Sequence, residues 1–92
     1  MRGTRLKSFE LMVLLQFFFN SLDKVSHPQN MQSSGDSEIY AFWDGRNIVK
    51  SQFKKKEKYE DTFDKLVKLG FIQDWGTFQH LTYKGINYIN SL

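Results

Sequence analysis

His27 and His80 are the chain's two histidines, and with no cysteine present they are the side chains to weigh first for metal or acid–base chemistry. They stand in different settings, one before Pro28 in a polar stretch and the other in a strand-like run. No H-x-x-x-H or C-x-x-C pattern accompanies either, so no metal centre is expected. Glu57, Glu60, Asp61 and Asp64 bring four carboxylates close together, but they are interspersed with lysines, the pattern of a solvated helical face. The serines at 33, 34 and 37 lie in a loop-like segment with no base to activate them, and the six glycines are scattered rather than gathered into a phosphate-cradling loop. No enzyme and no cofactor is expected.

The chemistry that remains belongs to positive side chains. Residues 1–8 carry Arg2, Arg5 and Lys7 without an acid, and residues 46–56 carry Arg46, Lys50, Lys54, Lys55 and Lys56 without an acid. These two stretches hold eight of the 13 basic residues, while the whole chain is only +3 with a pI near 9.2. Such an uneven distribution suits a polyanionic partner.

A chain of 92 residues is one small domain, which hides a smaller share of its surface than a large one. With no disulfide or thiolate metal site to staple it, oligomerisation is the available support. Aromatic content of 16% supplies enough bulk for a core. The basic start followed by F-E-L-M-V-L-L-Q-F-F-F imitates a secretory leader, but Glu10 and Gln16 interrupt it and no small-residue cleavage site follows. The run also falls short of the ~20 apolar residues that span a membrane. A cytoplasmic protein without a membrane partner is the expectation.

These residues need elements to position them. A basic arm over residues 1–8 overlaps a first helix, 5–22, with Thr4 as a possible N-cap; its apolar residues go almost completely round the cylinder. A helix of that kind must be covered on two sides. A homodimer is therefore expected, with Phe9, Val13, Leu14, Phe17 and Phe18 in the interface and Ile89 of the last helix extending it. Residues 26–38 read as a polar loop and 39–43 as a short strand. Asp44 can cap a second helix, 45–53. Lys54, Lys55 and Lys56 lead to a third helix, 57–69, whose inward face is Tyr59, Phe63, Leu66, Val67 and then Gly70. Gly70 is expected to close that helix in a left-handed conformation. A hairpin over 71–81 turns at Trp75-Gly76, and Thr82 caps a last helix, 83–92.

The phrases L-V-K-L-G-F-I at 66–72 and L-T-Y-K-G-I-N-Y-I at 81–89, in the order helix, hairpin, helix, resemble the C-terminal half of a winged helix-turn-helix domain of the small bacterial, archaeal and phage regulator type. The resemblance implies an α+β fold with a three-helix core, a β-wing of two or three short strands and a C-terminal helix. It also implies that 45–53 and 57–69 are the supporting and recognition helices, and that double-stranded DNA is the partner of a transcription regulator. Arg2, Arg5, Arg46, Lys50, Lys54, Lys55, Lys56 and Lys58, with Tyr59 and Thr62 nearby, are the residues that would then touch it. Electrostatics pulls the other way. Residues 57–69 carry Lys58, Lys65 and Lys68 against Glu57, Glu60, Asp61 and Asp64, a net −1, and the wing has no lysine or arginine. Two functions follow: a dimeric DNA-binding regulator gripping with the arm and the turn before the third helix, or a winged-helix protein–protein interaction module of phage or mobile-element type, without intrinsic DNA binding.

Overall fold

Glu10 sets where the first helix begins. In the computed structural model, which describes residues 5–25, 31–33, 39–41 and 43–92, α1 spans Ser8–Val25. The Lys7 amide donates to Glu10 Oε1 at 2.9 Å, the reach-back half of a capping box. Residues 5–7 are not helical, and the Leu6 amide donates to the Tyr88 hydroxyl at 3.1 Å, which ties the start of α1 to the C-terminal helix. The helix thus begins and ends three residues later than its sequence suggests. Arg2, Thr4 and His27 lie outside the described residues.

The stretch expected to be loop contains β1, Met31–Ser33, paired antiparallel with β2, Ile39–Ala41, in the register Met31↔Ala41 to Ser33↔Ile39. Asp44 caps α2, Gly45–Lys50, by accepting from the Asn47 amide at 3.2 Å. α2 stops three residues short of Phe53 because Gln52 and Phe53 bond back to Val49 and Lys50, the tighter i→i+3 pattern that closes a helix.

α3 covers Lys56–Lys68 and ends in a Schellman motif. The Gly70 amide donates to the Val67 carbonyl and the Phe71 amide to the Leu66 carbonyl, both at 3.0 Å, with Gly70 at φ +87° as expected. β3, Ile72–Asp74, and β4, Gln79–Leu81, form an antiparallel hairpin in which Asp74 faces Gln79. The Trp75 amide donates to the Phe78 carbonyl at 2.9 Å, so the turn sits one residue beyond Trp75-Gly76. Gly76, at φ +96°, supplies the left-handed backbone a tight hairpin needs. Thr82 caps α4, Tyr83–Asn90, accepting from the Gly85 amide at 3.0 Å.

Among the described residues this is an α+β fold of four helices and two two-stranded antiparallel sheets. Its core is aromatic: Phe17 lies 5.2 Å from Trp43 and 5.8 Å from Phe63, and Tyr59 5.7 Å from Phe63. Val13, Leu14 and Phe17 have no exposed surface, so they cannot meet a second copy. A domain this small must spend its deepest side chains on its own interior. No described helix is long and apolar enough to cross a membrane.

Candidate nucleic-acid interface

Lys54 and Lys55 project from the turn between α2 and α3, exposed and without a partner among the described residues. Lys55 occupies the N-cap position of α3 but gives it no side-chain hydrogen bond. The first intrahelical bond is from the Tyr59 amide to the Lys55 carbonyl at 3.0 Å, which leaves the amides of Lys56, Glu57 and Lys58 without helical acceptors. Partial positive charge and two free ammonium groups therefore coincide. Lys56 differs from its neighbours. Its Nζ folds back to the Lys50 carbonyl at 2.9 Å and to the Phe53 carbonyl, closing the end of α2.

The N-terminal segment reaches the same corner. Phe9 meets Phe53 edge-on at 5.6 Å, and Lys58 Nζ stands 4.5 Å above the Phe9 ring. Just before Phe9 come Arg5 and Lys7, exposed on either side of Leu6, which is turned inward and 8% exposed. Phe9, the residue after the first acid-free basic stretch, thus touches Phe53 of the second.

Arg46 and Lys50 are engaged elsewhere. The Arg46 guanidinium binds Glu60 at 2.5 Å, Asp64 at 2.8 Å and Asp74 at 3.3 Å, and lies 4.5 Å over the Phe63 ring. Lys50 Nζ takes the other oxygen of Glu60 at 2.8 Å. The hydrogen bond from Lys50, joined by Arg46, holds the Glu60 carboxyl below the usual range. Burial pushes Asp74 up, but the Gly76 amide, Gln79 and Arg46 together outweigh it and hold it low. This cluster joins α2, α3 and β3. The Arg46 amide adds a bond to the buried Gln79 at 2.8 Å, fastening the β3–β4 hairpin to α2.

Tyr59 and Thr62, expected beside a nucleic acid, face inward. Tyr59 is fully buried, its hydroxyl donates to the Arg46 carbonyl at 2.7 Å, and burial pushes its pKa well above the ordinary tyrosine value. Thr62 is 8% exposed. Both lie on the α3 face that packs on the core beside Phe63 and Leu66. The surface left to α3 is Glu57, Lys58, Asp61, Asp64, Lys65 and Lys68, with Lys65 paired to Glu10 at 2.6 Å. An open depression of about 290 Å³ beside it is lined by Lys50, Lys56, Glu57, Glu60 and Asp61, a mixture of signs that favours no single ion. Among the described residues no group of three His or carboxylate side chains could hold a metal ion.

At the tip of the β3–β4 hairpin Trp75 is 54% exposed. Its Nε1 donates to His80 Nδ1 at 3.0 Å, and its ring stacks on Phe78 and His80 at interplanar angles of 18° and 17°. The outward apolar residues of α1 are Met12, Phe19 and Leu22, whereas Phe9, Phe18 and Ile89 are half-buried against the core. Comparisons with family models, curated proteins and solved structures found no match to this chain.

Proposed function

We propose that the chain is a small winged-helix DNA-binding protein that grips the phosphate backbone with the turn before α3 and the segment before α1. The observation that carries this reading is the pair of free lysines, Lys54 and Lys55, beside the uncapped start of α3, where Phe9 brings the beginning of α1 against Phe53 and Lys58. The order of α1, β2, α2, α3 and the β3–β4 hairpin is compatible with a winged helix. Phosphate oxygens would accept from Arg5, Lys7, Lys54, Lys55 and Lys58, and the counterions released on contact would supply the affinity. Fluorescence anisotropy with a short labelled duplex tests it. Binding is expected at about 50 mM salt and should weaken steeply towards 200 mM. Lys54→Ala/Lys55→Ala is expected to weaken it on the order of tenfold to a hundredfold without changing the melting curve. No binding at the lower salt concentration removes the proposal.

A protein-docking role is the second reading, favoured by the acids exposed along α3 and by Met12, Phe19 and Leu22 on α1. The apolar side chains are assigned here to a second copy of the chain, so that the working unit is a homodimer.

A further inference from the structure

We draw no further inference here: the strongest candidate, the exposed indole of Trp75 at the tip of the β3–β4 hairpin, braced by His80 and Phe78, carries nothing because nothing in the structure shows what covers it.

Discussion

Removing Arg46 would leave Asp64 of α3 and Asp74 of β3 without the cation that joins them, and Glu60 with Lys50 alone. Glu60, Asp64 and Asp74 all bind its guanidinium, at 2.5, 2.8 and 3.3 Å, and its plane also covers Phe63. Arg46→Met keeps an aliphatic cover on the ring and deletes the charge. The loss at pH 7 is expected to be about 1–3 kcal/mol, the lower range for broken ion pairs because the site is partly solvated. The pH dependence carries the sign. Glu60 and Asp74 have lowered folded-state pKa values, so their contribution is fully present above the unfolded carboxylate values near 4 and is lost as pH falls through the folded ones. Urea unfolding of both proteins should therefore give a difference that is constant from about pH 5 to 7 and narrows below about pH 4. An undiminished difference at low pH would assign Arg46 to packing over Phe63 instead. Nothing in the sequence around Arg46 marks this role. Its acids lie 14, 18 and 28 residues away, and only the fold assembles them.

At the scale of the elements, two glycines fix the path from α3 to α4 for different reasons. Gly70 is left-handed at φ +87°, and an added Cβ would meet only the flexible Lys84 side chain at an ordinary contact distance of 3.6 Å, so Gly70→Ala should lose only the backbone term, about 1 kcal/mol. Gly85 lies within α4, where helix propensity alone would make alanine more stable by about 1 kcal/mol. An added Cβ, however, would run into the Phe71 carbonyl oxygen, a backbone atom that cannot turn aside. The clash should win, destabilising Gly85→Ala by about 1–3 kcal/mol. It should also release the Leu6 amide to hydrogen exchange as Tyr88 moves off it. A Gly85→Ala protein more stable than the parent would sink the close-approach account. Gly70, Asp44 and Thr82 were legible in the sequence because a cap or a helix stop is decided by its near neighbours. The β1–β2 pairing, the late start of α1 and the hairpin turn were not, since each depends on a distant partner: β1 for β2, Tyr88 for Leu6, and the register of Asp74 with Gln79. For the same reason the lysines of the candidate site could be placed from their own exposed run; Tyr59 was legible as inward from the helical period, and only its place beside the lysines set it next to DNA, whereas Thr62 had to await the direction in which α3 faces its core.

For the whole molecule, α1 is the element whose burial remains incomplete. Its inner side goes to Val13, Leu14 and Phe17, yet Met12, Phe19 and Leu22 remain 54, 58 and 50% exposed, and Leu15 falls between them at helical spacing. A single stripe of this kind is self-complementary under a two-fold axis. Crossing antiparallel near residue 17, it sets Met12 against the partner's Leu22 and Leu15 against the partner's Phe19. Only Phe18 of the half-buried residues first assigned to the interface adjoins this stripe along α1, its ring 5.7 Å from Phe19. A dimer would also double the number of phosphate contacts on one duplex and join two weak grips by effective concentration. Sedimentation equilibrium should find a dimer, and Phe19→Ser/Leu22→Ser should sediment as a monomer with an unchanged circular dichroism spectrum, since neither side chain belongs to the buried core. The same variant should bind duplex with a salt slope near half that of the parent. A parent that remains monomeric at high concentration overturns the self-pairing and leaves the stripe to a different protein, whereas a dimer that survives both serines would place the two-fold contact on another face.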